Sequence, residues 1–272
     1  MKNQDFFSLA ELISLNGEGL IPGPGESETA FKTRVDSVKA RFQQQQDQLP
    51  SYEWQWASEQ LKELFDFSPR WCTAYFSSHK LAPWQAAATW IDQNRVTSIQ
   101  LNSSRFLKKL IDHKEILAHE ATHAARAAFD ELGFEEVFAY LTSGKKWRRV
   151  LGPLFRSPGE ALVLLITALL GSLSQMAELF WDLSFLSTFF YLVVFILLFT
   201  WSIRLFRTRL QLQRASKNAI PLLRDPKKVR AFLFRLTDEE LKALARGASL
   251  PEKDDLRRKL LKAAYLNANA SF

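Results

Sequence analysis

Residues 161–203 read ALVLLITALLGSLSQMAELFW, then Asp182, then LSFLSTFFYLVVFILLFTWSI. Two apolar runs of 21 residues flank that single acid. At 1.5 Å per residue each run makes roughly 31 Å of helix, which matches the ~30 Å hydrocarbon layer of a bilayer. The pattern predicts a two-helix transmembrane hairpin, 161–181 and 183–203. The bland alternative is a hairpin buried in a soluble core, but core helices are usually shorter than this. Ser172, Ser174, Gln175 and Glu178 crowd the second half of the first run and make it the weaker span.

The flanks set an orientation. Lys145, Lys146, Arg148, Arg149 and Arg156 precede the first run, and Arg204, Arg207, Arg209, Arg214 and Lys217 follow the second. The connection between them has no Lys or Arg, so the positive-inside rule places both termini in the cytoplasm of a two-pass integral membrane protein. Trp181 and Trp201 sit near span ends, where indole rings favour the interface. The opening residues MKNQDFFSLAELISLNGEG lack a sustained apolar core and do not read as a secretory signal.

Composition agrees with an ordered chain. Of 272 residues 47% are hydrophobic, which excludes disorder as a whole-chain description. The net charge of +7 is unevenly distributed: residues 204–272 carry 17 basic and 7 acidic side chains, a local excess of +10. A basic segment following a membrane span is expected to meet anionic lipid headgroups, and no base-reading motif argues for nucleic acid. The lone Cys72 excludes an intrachain disulfide and any CxxC-type metal cluster.

The chain therefore divides into an N-terminal segment (1–28), a cytosolic domain (29–150), the hairpin, and a basic helical tail (204–272) expected to be a separate unit. LIPGPGESE at 20–28 is a loop, without the GK[ST] of a phosphate loop. Helical patches are expected over 29–49, 53–67 and 83–91, and a strand over RVTSIQL, 95–101. Trp54, Trp56, Trp71, Trp84 and Trp90 read as core or membrane-proximal rings rather than a ligand-stacking platform. In the tail, Thr237 and Glu240 form a capping box, Gly247 ends that helix, and another helix is expected over 249–266.

Three of the four histidines fall between residues 113 and 123. Two of them frame His119-Glu120-Ala121-Thr122-His123, an HExxH pattern. On a helix, positions i and i+4 share a face, so both imidazoles reach one metal while Glu120 points to the neighbouring side. A zinc held by two imidazoles and a third protein ligand keeps an open position, where it lowers the pKa of water toward ~7 and polarises a carbonyl. Asp112, with Glu115 three residues on, is a candidate helix cap, and no Pro or Gly interrupts residues 103–132. Downstream, Phe134-Glu135-Glu136-Val137-Phe138-Ala139-Tyr140 offers two carboxylates as third ligand. Glu136 is favoured because Ala139 leaves room beside it, and Glu135 stays open as the alternative. His113 lies about 240° around the axis from His119 and reads as a surface histidine, as does His79.

HEATHAAR followed by EEVFAY resembles the zincin metallopeptidases, in the gluzincin-like branch whose third zinc ligand is a glutamate on a following helix. The resemblance covers roughly residues 95–142. It implies an α+β catalytic domain, mainly α with a small sheet, with zinc ligands His119, His123 and Glu136 and general base Glu120. It implies further that RVTSIQL lines the cleft and pairs with an extended substrate, and that Tyr140 stabilises an oxyanion. The NExxSD-like form of the best-known glutamate branch is absent, as are the glycine and third histidine of the metzincins. The function implied is a membrane-anchored zinc metallopeptidase acting on membrane-proximal protein or peptide substrates. Its rivals are a non-enzymatic membrane adaptor with a fortuitous or structural HExxH, and a non-proteolytic metallohydrolase.

Overall fold

The computed structural model describes residues 7–44, 48–69, 71–82, 85–104, 112–181, 184–250 and 255–267. Pro83, Trp84 and Asp182, named above, lie outside them, as do residues 105–111 of the uninterrupted 103–132 stretch. The fold is mainly helical with a small mixed sheet. Helices α1 (Leu9–Glu18), α2 (Glu28–Gln44) and α3 (Ser51–Phe65) come first, then strands β1 (Thr73–Phe76), β2 (Ala87–Ile91) and β3 (Thr97–Leu101). Helices α4 (His113–Arg126), α5 (Glu135–Leu141) and α6 (Lys146–Leu151) follow and lead into two long apolar helices, α7 (Pro158–Ala177) and α8 (Ser184–Ala219). The chain closes with α9 (Val229–Phe234), α10 (Asp238–Ala245) and α11 (Leu256–Ala264).

The sheet order is β1-β3-β2, with β1 parallel and β2 antiparallel to β3. All five residues of β3 are buried, because the strand is paired along both edges and covered by α4. This overturns the expectation that RVTSIQL receives a substrate strand: it has no free edge to offer. It overturns a second expectation too, since Ala87–Ile91 is a strand and not part of a helix over 83–91. Its register on β3, Ala87 opposite Leu101 and Ile91 opposite Thr97, places Thr89 beside α4. A sequence as short as AATWI carries no decisive period, and cross-strand pairing decided its state.

Both apolar helices are long and apolar enough to cross a membrane, and only 11% of each apolar window is buried, unlike a soluble core helix. They pack against each other with polar groups facing inward. Ser187 donates to Glu178, Tyr191 Oη donates to Gln175 Oε1 at 3.0 Å, and Gly171 lets Phe190 and Tyr191 approach closely. Gln175 and Glu178 of the first run thus face the partner helix, whereas Ser172 is exposed and donates to the Ala168 carbonyl of its own helix at 3.1 Å. The helices differ in extent from the runs: the first ends at Ala177, and the second continues 16 residues past Ile203 as one uninterrupted helix to Ala219.

The extension of α8 brings the tail back onto the first domain. Phe234 stacks on Phe65 (centroids 4.5 Å) and Phe67 (5.5 Å), with Phe138 edge-on at 5.5 Å. Arg235, fully buried, donates to the Phe65 and Ala231 carbonyls at 2.7 and 2.6 Å and to the Asn16 side chain. Asn16 in turn donates to Tyr265 Oη at 3.0 Å. Residues from α1 to α3, the sheet, α4, α5 and α8 to α11 form one apolar core. Residues 204–272 thus share their apolar core with the first domain. Three of their basic groups, Arg235, Arg257 and Arg258, are interior, the last two paired with buried Glu240 at 2.8 Å. The capping box of Thr237 and Glu240 and the left-handed Gly247 are present as expected.

Candidate metal centre

The site is built on α4 and α5. Asp112 caps α4 by accepting from the Lys114 amide at 3.0 Å, and the alanine-rich face through Ile116, Leu117, Ala121, Ala124 and Ala125 is buried against α3 and the sheet. Glu115 is not a capping partner. It is buried and accepts from Ser143 Oγ (2.9 Å), the Gly144 amide (3.0 Å) and Arg148 (2.7 Å), which ties α4 to the segment leading to α6.

One turn apart on the opposite face, His119 and His123 bring their Nε2 atoms to 3.2 Å. Glu136 at the start of α5 places Oε2 3.7 Å from His119 Nε2 and Oε1 3.5 Å from His123 Nε2. Glu135 meets the other side of the same ring, Oε1 lying 2.9 Å from His123 Nδ1. The two neighbouring acids are therefore not equivalent: one faces both Nε2 atoms and the other backs one imidazole. His119, His123 and Glu136 form a group whose ligand atoms all lie within 4.8 Å of one another, close enough to hold one metal ion.

The electrostatics of this cluster suit a cation. Burial, the neighbouring His123 and Arg148 hold His119 well below the usual imidazole pKa. For His123 burial pulls the same way, but the Glu135 hydrogen bond and the charges of Glu136, Glu120 and Glu135 outweigh it and hold the ring at about 9. Burial pushes the Glu136 carboxyl up to about 7 despite the attraction of His123, with Glu120 and Glu135 adding repulsion. Three carboxylates around two imidazoles leave negative charge for a divalent ion to balance. Two nitrogens and a carboxylate oxygen are a donor set that zinc accepts.

Glu120 sits beside the cluster, and Thr89 Oγ1 of β2 donates to its Oε2 at 2.7 Å. Tyr140 lies edge-on to His119, ring centroids 4.6 Å apart. His119, Glu120 and Tyr140 line a cavity of about 420 Å³ together with Ala87, Lys145 and Trp147. A larger cavity of about 710 Å³ beside Tyr52, Trp54 and Cys72 contains neither histidine and lies apart from this chemistry. His113 packs edge-on to Phe76 at 5.6 Å, and His79 is exposed; neither joins the cluster.

Sequence reasoning missed Thr89, Lys145 and Trp147. Thr89 lies in a segment with no strand signature, and Lys145 reads only as one of a row of juxtamembrane cations. It also missed Arg126, the last residue of HEATHAAR. Fully buried, Arg126 donates to the carbonyls of Phe234 and of Leu236 (3.2 Å) and lies over Phe129 at 4.4 Å. The loop from α4 to α5 is held from the same side: the Gly133 amide donates to Asp238 Oδ2, and the Asp238 amide to Glu131 Oε2, each at 2.7 Å. Comparison of the chain with known protein families, curated proteins and solved structures gives no match.

Proposed function

We propose that the chain is a membrane-anchored metallopeptidase that uses zinc held by His119, His123 and Glu136, with Glu120 as the proton-transfer group. The observation that carries this reading is the convergence of both Nε2 atoms and the Glu136 carboxylate on one point, next to a second carboxylate in the same cavity. Zinc bound there supplies a Lewis acid that polarises a peptide carbonyl and acidifies water.

The protein's own groups have distinct tasks. Glu135 accepts a hydrogen bond from the Nδ1–H of His123, which orients the ring so that Nε2 would face the metal once its own proton is displaced. Thr89 holds one oxygen of Glu120, so the carboxylate is oriented before substrate arrives. Glu120 takes a proton from the attacking water and returns it to the leaving amine. Tyr140, whose phenol burial and Glu136 keep above its usual pKa, stays protonated and donates to the carbonyl oxygen as negative charge develops there. With β3 enclosed, the strand beside the cavity that can pair with an extended substrate is β2.

The two apolar helices anchor this cavity in a membrane, both termini on the side of the flanking Lys and Arg, so substrates are expected to be membrane-proximal. The test is to purify the full chain in detergent, quantify bound zinc, and repeat with His119→Ala and Glu120→Gln. Loss of metal in the first and retention of metal with loss of peptide cleavage in the second are expected. Absence of zinc from the wild type refutes the reading and leaves the adaptor alternative; undiminished cleavage by Glu120→Gln refutes the assignment of Glu120 as the proton-transfer group. Zinc with no cleavage of a peptide library points to a metallohydrolase of another substrate class.

A further inference from the structure

Helix α6, KWRRVL, joins the metal-binding half of the molecule to the first apolar helix. Its positions 147, 150 and 151 have i, i+3, i+4 spacing and share one face. That face is apolar and unusually bare: Trp147 is 63% exposed, Val150 51% and Leu151 57%. Lys145 and Lys146, both exposed, stand at the helix start, while Arg148 turns inward to Glu115. An apolar face flanked by cations is the pattern of a helix lying in a membrane interface.

The depth at which α6 is held supports that reading. Arg204, directly after the apolar run of α8, donates to the Leu154 carbonyl at 2.9 Å and pairs bidentately with Glu160 at 2.6 and 2.7 Å. Arg209 donates to the Arg149 carbonyl, and Phe155 packs edge-on to Trp201 with centroids 5.5 Å apart. These contacts fasten residues 149–155 to the stretch of α8 from Trp201 to Arg209. From Arg204 to Arg209 is about 7.5 Å of helix, close to the roughly 5–8 Å headgroup layer on each side of a bilayer. The same short helix walls the candidate cavity, which Lys145, Trp147 and Arg148 line together with His119, Glu120 and Tyr140.

We propose that α6 is an interfacial wedge: Trp147, Val150 and Leu151 lie at the boundary of headgroups and acyl chains of an anionic bilayer and hold the cavity mouth at the membrane surface. The substrate class that fits is the juxtamembrane segment of a membrane-inserted protein, delivered along the bilayer plane. The wedge rests on the two apolar helices spanning a membrane. It does not rest on the metal.

The experiment reconstitutes the full chain into phosphatidylcholine–phosphatidylserine vesicles with a nitroxide at Val150→Cys, Phe195→Cys or Tyr52→Cys in turn. The native Cys72 is buried and stays unlabelled. Collision with lipid-soluble oxygen and with a water-soluble nickel chelate reports depth. Phe195, 64% exposed on α8, is the hydrocarbon reference, and Tyr52, 69% exposed on α3, the aqueous one. The wedge requires the residue-150 label to be shielded from nickel relative to residue 52 and shallower than residue 195, and Leu151→Glu to shift it toward the aqueous value. A residue-150 label as accessible to nickel as residue 52, with residue 195 in hydrocarbon, overturns the wedge alone. Residue 195 in water overturns the membrane reading and the wedge with it. Neither outcome depends on catalysis.

Discussion

Removing the carboxylates of Glu135 and Glu136 one at a time separates two roles that adjacent residues play in the proposed centre. Glu135→Ala deletes a 2.9 Å hydrogen bond to His123 Nδ1 between side chains only 13% and 18% exposed. A hydrogen bond involving a charged group contributes about 1.5–3 kcal/mol net. The imidazole then loses its orientation, and loss of such a supporting partner costs about 10–100-fold in metal affinity, or roughly 1.4–2.7 kcal/mol. Glu135→Gln keeps an acceptor for the Nδ1 proton and gives a smaller loss. Glu136→Ala removes the group that faces both Nε2 atoms, at 3.7 and 3.5 Å, and deletes a ligand outright. The expected result is metal that does not survive dialysis. Zinc competition with a chromophoric chelator ranks the variants, and circular dichroism checks that α5 persists. Equal affinities for the two alanine variants, or a weaker Glu135→Ala than Glu136→Ala, would refute the assignment of ligand and orienting group.

Other perturbations test the framework around the site. Arg126→Met leaves the buried carbonyls of Phe234 and Leu236 without their donor and is expected to lower stability by about 2–6 kcal/mol, at about 1–3 kcal/mol for each of the two unmade bonds; thermal unfolding in detergent measures it. Asp238→Ala orphans the Gly133 amide and is expected to cost about 1–3 kcal/mol, with Asp238→Asn restoring most of it. In the same clamp, Gly133→Ala is expected to mimic the loss, because a Cβ there would stand 2.0 Å from Asp238 Oδ2. For pH, burial opposes ionisation of Glu240, but Arg257, the Thr237 amide and Arg258 outweigh it and hold its pKa below the usual carboxylate value of 4.5. A folded-state pKa below the unfolded one means this contribution is full above about pH 4.5 and is lost as pH falls through the folded value. Denaturant unfolding at pH 7 and pH 3.5 should therefore show Glu240→Gln strongly destabilised at the higher pH and closer to wild type at the lower; an equal deficit at both would count against the ion-paired carboxylate.

Several features were legible in the sequence because the physics behind them is local. Two histidines four residues apart on an uninterrupted helix must share a face, so the pairing of His119 and His123 needed no tertiary information. The lengths of the two apolar runs and the capping box of Thr237 and Glu240 are likewise properties of short windows. The sequence also supplied the candidate third ligand, favouring Glu136 through the small Ala139 and leaving Glu135 open, but not the separate positions that the two adjacent glutamates take around the imidazoles. Those positions depend on the entry angle of α5, which the Gly133–Asp238 and Arg126–Phe234 contacts impose across more than 100 residues of chain.

What the sequence determined by itself was the helical frame, the position of the apolar hairpin and the HExxH face, since each follows from side-chain spacing over one or a few turns. Tertiary structure alone decided that Ala87–Ile91 is a strand holding Glu120 through Thr89, that β3 is enclosed, and that Arg235, Arg257 and Arg258 are interior rather than surface charge. The physical reason is common to all three. A strand's pairing and a charge's burial are set by partners distant in sequence, and neither a short window nor a count of lysines and arginines records which partner a group will find.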